Sequence, residues 1–295
     1  MNCYNRTQVL EPPYQLFSLI IYIPLITLGI TCNVLAIWVF CFKLKKWTET
    51  TVFMMNLVIS DIMVIFTFPF RLYAYLHLWD LGSGLCKTLQ SCYFANMYMS
   101  IFTITAIAFD RYLAIRHPLK YKCWASLVKA SVICCVLWIS VITVSVLRVL
   151  QSNDLILSTC FQKVSTYPFN LAPIFVLVGF SFPLIIISFC SVKIIMTLCD
   201  KEKLDPYQQH STSKAVRIVI SNLVVFVVCF MPIHVGYTIR FVAESFKASC
   251  YTLTIVNSFI HVATAIANCN CVLDSLCYYF AASEFREALS RHKFI

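Results

Sequence analysis

Seven apolar runs, each about long enough to cross a bilayer, account for most of this chain; they lie near 16–42, 50–77, 85–116, 126–150, 168–198, 214–243 and 250–280. A helix rises about 1.5 Å per residue, so roughly 20 apolar residues match the ~30 Å hydrocarbon thickness. Inside lipid every backbone N–H and C=O must find a partner within the protein, which makes such runs helices. Of the 295 residues, 60% are hydrophobic and only 12% are charged. A soluble domain carries about a quarter charged residues, so lipid must cover much of this surface. The sequence predicts an all-α membrane protein, a seven-transmembrane-helix bundle. Residues 1–15 are expected outside, 16–280 form the bundle, and 281–295 form a short cytoplasmic amphipathic eighth helix, with Phe285 and Leu289 on its apolar face.

An odd number of spans puts the two ends on opposite sides. With the N-terminus outside, sixteen of the 23 Lys and Arg residues fall on the cytoplasmic side and seven on the other. This is the positive-inside bias of membrane proteins, so the N-terminus is expected outside. No basic region precedes a short apolar core, so no cleaved signal peptide is expected. Asn5-Arg6-Thr7 is a glycosylation sequon on the side assigned as outside. The formal charge of +10 is scattered between apolar runs and forms no basic stripe, which argues against nucleic acid.

The sixteen cysteines include no pair of CxxC motifs and no His pair beside one, so zinc is not expected. Most sit in apolar runs as small hydrophobes. Cys3, Cys86, Cys160 and Cys250 fall outside or at the outer interface, where oxidising conditions allow two disulfides. Topology alone leaves three pairings open.

Three arginines oppose the positive-inside trend: Arg71, Arg148 and Arg240, each in the outer half of a span, with Lys87 at the start of the third. A guanidinium fork suits carboxylate, sulfate or phosphate. These residues are expected to bind an acidic small molecule or an anionic lipid headgroup, with Tyr93 and His234 among the contacts, and Asn96, Tyr98, Phe102 and His261 able to furnish the remainder.

Each span carries one polar or proline feature: Asn33; Leu57-Val-Ile-Ser-Asp61; Asp110-Arg111-Tyr112; Trp138; Pro183; Cys229-Phe230-Met231-Pro232; and Asp274-Ser-Leu-Cys-Tyr278. In this order and spacing they resemble the rhodopsin-like (class A) G-protein-coupled receptors, over nearly the whole chain. Lys46–Thr50, Leu223–Gly236 and Asn268–Phe280 narrow the likeness to a small orphan subgroup. The resemblance implies a plasma-membrane receptor that binds an extracellular ligand and activates a heterotrimeric G protein. It implies no enzyme activity, and membrane lipids are its expected surroundings. Arg111, beside Asp110 and Tyr112, is then the switch that meets the G protein, with Tyr278 retained from the same machinery. The resemblance pairs Cys86 with Cys160, which leaves Cys3 for Cys250. A charge at Asp61 is costly in mid-bilayer. Asn96, Ser100, Asn270 and Asp274 supply oxygens around it that suit a hard cation. The family points to sodium; no other cofactor is expected.

The chain departs from the family at four positions. Phe230 stands for the usual Trp, Ser191 for Tyr, Asp274 for Asn and Ser275 for Pro, so the seventh span is expected to bend less there. No acid lies on the third span between Lys87 and Asp110, and no lysine on the seventh between Tyr251 and Phe280. An amine and retinal are therefore not expected. A transporter or channel, or a seven-span scaffold that binds ligand without signalling, is the alternative. The absence of internal repeats and of a charged pore ring counts against the transporter. With no cysteine after Cys277 and only Ser283 and Ser290 in the tail, palmitoylation and dense phosphorylation there are not expected.

Overall fold

The helix ends in this chain follow proline and hydroxyl chemistry more closely than they follow hydropathy. The computed structural model describes residues 11–44, 47–124, 126–151, 159–163, 166–199 and 206–281. Helix α1 (Pro12–Trp38) runs into a π turn, Val39–Lys43. Then come α2 (Glu49–Leu76), α3 (Ser83–Arg116), the short α4 (Pro118–Trp124) and α5 (Leu127–Gln151). Helix α6 (Ala172–Val176) passes through a second π turn, Leu177–Ser181, into α7 (Phe182–Cys199). The chain continues through α8 (Pro206–Ser245), α9 (Cys250–Asn268) and α10 (Asn270–Ala281). Seven stretches are long and apolar enough to span a membrane, and no strand occurs among the described residues.

Three helices begin away from the positions read from hydropathy: α1 at Pro12 and not 16, α6 at Ala172 and not 168, and α8 at Pro206 and not 214. Each has a proline in its first turn, where a missing N–H costs nothing and the fixed φ is already helical. Hydropathy marks the lipid slab, whereas helices run beyond it or stop short. Thr48 caps α2 reciprocally with Thr51, accepting from Thr51 N at 3.3 Å while Thr48 N donates to Thr51 Oγ1 at 3.4 Å. Ser249 caps α9 by accepting from Thr252 N at 3.2 Å.

Pro183 supplies no N–H for the carbonyl of Gly179, and the turn before it widens to π. Gly179 in that turn lies against α3: a Cβ there would sit 2.5 Å from Cε1 of Tyr98. The seventh span does not run straight. It breaks at Cys269, where Cys269 N donates to Ile266 O at 3.0 Å and Val272 N to Cys269 O at 3.1 Å. The break thus precedes Ser275, where the missing proline suggested a straighter helix.

Helix α3 is the central element and packs against α2, α5, α7 and α8. Polar ties lock the bundle at mid-depth. The indole Nε1 of Trp138 donates to Asn56 Oδ1 at 2.7 Å, and Asn56 Nδ2 donates to Thr103 Oγ1 at 2.7 Å. Asn33 Nδ2 lies 2.9 Å from both Gly29 O and Cys271 O, joining α1 to α10, and Asn268 Nδ2 donates to Tyr22 Oη at 2.9 Å. Such bonds hold helices together where lipid offers no hydrophobic drive between them. The expected eighth helix, the Asn5 sequon and Cys3 lie outside the described residues.

Candidate functional site

The end of the bundle at which α3 begins holds a cavity of about 450 Å³. Nine of its twenty lining residues are aromatic, so its walls suit a ring or an acyl chain. Arg71 from α2, Arg148 from α5 and Arg240 from α8 all line it, as does Tyr93 from α3. The roof is the loop after Cys160, through Phe161, Gln162, Lys163, Tyr167, Pro168 and Phe169. That loop is anchored to α3 by the Cys86–Cys160 disulfide, with the two Cα atoms 5.8 Å apart. Cys250 is disulfide-bonded as well.

The three arginines differ in their surroundings. Arg71 is 2% exposed and its guanidinium carbon lies 4.4 Å from the ring centre of Tyr93 and 4.3 Å from that of Phe161. Its Nη1 reaches Tyr75 Oη at a long 3.4 Å, while Nε and Nη2 find no hydrogen-bond acceptor among the described residues. Arg148 lies over Phe94, 3.4 Å from the ring centre, and 5.3 Å from that of Phe169. Arg240 is paired internally. Its Nε donates to Glu244 Oε1 at 2.7 Å, one Nη to Asn257 Oδ1, and the other to Lys163 O at 3.2 Å. Lys163 Nζ donates to both oxygens of the same Glu244, at 2.7 and 2.8 Å. Glu244 escaped the sequence reading, although an acid four residues after Arg240 on one helix is a recognisable pairing signal. Lys163 carried no such signal, because it meets Glu244 from 81 residues away.

Two expected contacts lie elsewhere. Lys87 is exposed and does not line the cavity, because Cys86, Leu89 and Tyr93 set the buried face of α3. His234 lies beneath the floor. It is 1% exposed, stacked on Phe180 with ring centres 4.5 Å apart, and edge-on to Tyr98 and Tyr237, which do line the cavity. Its Nδ1 is 2.7 Å from Phe230 O. A carbonyl only accepts, so Nδ1 carries the proton. His261 packs on Tyr75 and its Nε2 lies 3.0 Å from Ser18 Oγ, between α9 and α1.

Below the cavity, Asp61 and Asp274 are both fully buried. Asn96 Nδ2 donates to Ser60 Oγ at 2.9 Å and to Asp61 Oδ1 at 3.4 Å, and Asn270 Nδ2 donates to Ser100 Oγ at 3.0 Å. Neither carboxylate oxygen of Asp274 has a hydrogen-bond partner among the described residues. Two buried carboxyls require a cation or a proton. Carboxyl and hydroxyl oxygens, as at Asp61, Asp274 and Ser100, are the donor type that a hard cation takes.

At the end of α3 away from the cavity, Arg111 closes on its neighbour Asp110, Nη2 to Oδ2 at 2.5 Å and Nε to Oδ2 at 3.1 Å. Tyr121 of α4 donates to Asp110 Oδ1 at 3.0 Å, and Thr50 of α2 donates to Oδ2 at 3.1 Å. Burial, then the Asp110 carboxylate, pushes the Tyr121 hydroxyl above its ordinary range. Tyr112 packs edge-on against Phe189 of α7. Ser191 bonds back to Ile187 O at 2.7 Å. The side chain of Tyr278 lies outside the described residues.

A seven-helix membrane bundle with an aromatic and cationic cavity at one end, a buried acidic centre and an ion-paired arginine at the other end has the architecture of a seven-span receptor. The chain belongs to the rhodopsin family of seven-transmembrane receptors, whose family model, 7 transmembrane receptor (rhodopsin family), matches residues 32–278. It is 40% identical to human G-protein coupled receptor 35 over 90% of this chain and 83% of that protein. It is 33% identical to human G-protein coupled receptor 55, over 92% and 87%, and 35% identical to chicken lysophosphatidic acid receptor 6, over 86% of each. The subgroup singled out by Lys46–Thr50, Leu223–Gly236 and Asn268–Phe280 is that of receptors 35 and 55, and the match to receptor 35 is the stronger of the two. The chain is therefore a multi-pass membrane protein and a G-protein-coupled receptor, with a G protein and an extracellular ligand as partners. Its relatives are signalling receptors, not enzymes.

Proposed function

We propose that this receptor sits in the plasma membrane with its N-terminus outside and binds an acidic small molecule or an anionic lysophospholipid in the outer cavity. The observation that carries the reading is Arg71: a buried guanidinium against two aromatic rings, lining the cavity with two nitrogens that find no acceptor among the described residues. A buried cation without a counter-charge is costly, and a ligand anion would supply that charge. Arg148 adds a second cation against the aromatic wall. A lipid-type ligand is favoured by the aromatic lining and by the likeness to a receptor named for lysophosphatidic acid.

Ligand binding would bias the helices towards a state in which Arg111 leaves Asp110 and meets a heterotrimeric G protein, so the receptor promotes nucleotide exchange without covalent chemistry. In the resting state Asp61, with Asn96, Ser100, Asn270 and Asp274, would hold a sodium ion. Asn5 would carry the glycan. A screen of acidic metabolites and lysophospholipids, read by G-protein dissociation in cells, tests the reading. A hit is expected to lose at least tenfold in potency in Arg71→Gln at unchanged surface expression. Potency unchanged in that variant refutes the acid site.

A further inference from the structure

Among the described residues the cavity lining carries four cations, Arg71, Arg148, Lys163 and Arg240, and one carboxylate, Glu244, a formal charge of +3 for that set. That carboxylate is placed with care. Its side chain is 1% exposed, and both oxygens are engaged by Lys163 while Arg240 Nε takes Oε1. Two of these four cations therefore spend their charge on Glu244, while Arg71 has no carboxylate among its contacts with described residues. The same group joins two parts of the structure, because Lys163 belongs to the roof loop and Arg240 and Glu244 to α8. Arg240 reinforces the joint by donating to Lys163 O. From the cavity side, Glu244 is a resident anion standing where a ligand anion would otherwise gain from both cations.

We propose that Glu244 is the specificity-determining residue of the cavity: it reserves Lys163 and Arg240, closes the roof onto α8, and sets how much negative charge a ligand can carry. This inference rests on the acid-binding reading above. Its physical content is Coulombic. A fixed negative charge on the wall opposes a dianion twice as strongly as a monoanion of the same shape, so neutralising it favours the dianion selectively. Across a cavity on the order of 10 Å, at an effective dielectric of about 20 to 40, one extra unit of ligand charge gains roughly four- to sixteenfold in affinity. Were Glu244 only a mechanical latch for the loop, loosening it would change both ligands by the same factor.

The test uses 2-naphthyl sulfate and 2-naphthyl phosphate, which share a ring system and a tetrahedral headgroup. The first carries one negative charge; the second carries about −1.5 to −2 near pH 7. Affinities are read from ligand-dependent thermal stabilisation of the full-length receptor in detergent, for the unmodified protein, Glu244→Gln, Lys163→Met and Arg71→Gln. Glu244→Gln is nearly isosteric and is expected to raise the phosphate-to-sulfate affinity ratio roughly two- to sixteenfold, since the probes differ by about half to one charge. Lys163→Met removes a cation and leaves the carboxylate, so it is expected to lower the same ratio. If Glu244→Gln does not reach the membrane, the opposite shift in Lys163→Met decides the matter. A ratio that stays put in the variants that fold, with binding lost in Arg71→Gln, overturns the role of Glu244 alone. Binding of neither probe, or binding indifferent to Arg71→Gln, overturns the acid-binding reading and this inference with it.

Discussion

Trp138 and Asn56, 82 residues apart in sequence, meet at 2.7 Å through the indole N–H and the amide oxygen, and the amide nitrogen passes the connection on to Thr103. One asparagine thus ties α2 to both α5 and α3. Trp138→Phe leaves Asn56 Oδ1 without that donor and is expected to cost about 1–2 kcal/mol. Asn56→Ala removes both bonds and is expected to cost more. For a chain of this size the first corresponds to a Tm lower by roughly 2–6 °C, measurable by thermal denaturation of the detergent-solubilised receptor. Equal Tm values for Trp138→Phe and the unmodified protein would show that the tie is energetically idle.

Arg71 stacks on two rings as well as facing the cavity, and a lysine can reproduce its charge but not its planar fork. Arg71→Lys is therefore expected to lose most of the affinity for an acidic agonist, within about threefold of the loss in Arg71→Gln. Recovery of near-normal potency in the lysine variant would mean that charge alone is read at this position.

Tyr121 holds Asp110 from α4 with a single hydroxyl proton, which can serve Asp110 at 3.0 Å or Glu49 at 3.3 Å but not both. Tyr121→Phe removes that support and weakens the resting cage around the Asp110–Arg111 pair. A hydrogen bond to a carboxylate at this partly buried place contributes about 1 kcal/mol, so basal nucleotide exchange is expected to rise roughly fivefold. Nucleotide exchange measured in membranes without agonist is the readout. Unchanged basal exchange counts against a locking role for Tyr121.

Asp61 is fully buried with Asn96 donating to it. If sodium occupies this centre, raising sodium lowers agonist affinity in the unmodified receptor and leaves Asp61→Asn indifferent. Agonist competition binding in sodium and in N-methylglucamine chloride separates the ion from ionic strength. A sodium effect that persists in Asp61→Asn places the ion elsewhere.

Gly179 allows the π turn to approach Tyr98, since a Cβ would come within 2.5 Å of the ring. Gly179→Ala must displace a buried ring that lines the cavity, an overpacking cost of about 1–3 kcal/mol. Thermal stability and acidic-agonist potency are both expected to fall. A variant with wild-type values in each would mean that Tyr98 repacks freely.

Span number and the Asp110–Arg111 ion pair were legible in the chain because they depend on quantities that add up locally. Twenty apolar residues partition into lipid whatever their neighbours do, and basic residues bias the ends regardless of packing. Asp110-Arg111 is an adjacent pair, so its meeting needs no long-range information. The three outer arginines were also visible, as charges set at a depth where the trend opposes them. Side-chain direction was not. Lys87 and Cys86 are neighbours, yet about 100° of helix turn puts one on the surface and the other against the roof loop. The break at Cys269, the reach of Tyr121 to Asp110 and the capture of Lys163 by Glu244 each depend on where separate helices and loops come to rest. The sequence alone therefore determined a seven-span, family-typical receptor bundle with a cationic outer mouth. Only the tertiary structure decided which cations Glu244 holds and which lie against aromatic rings of the cavity wall, because that depends on packing between segments as far as 81 residues apart.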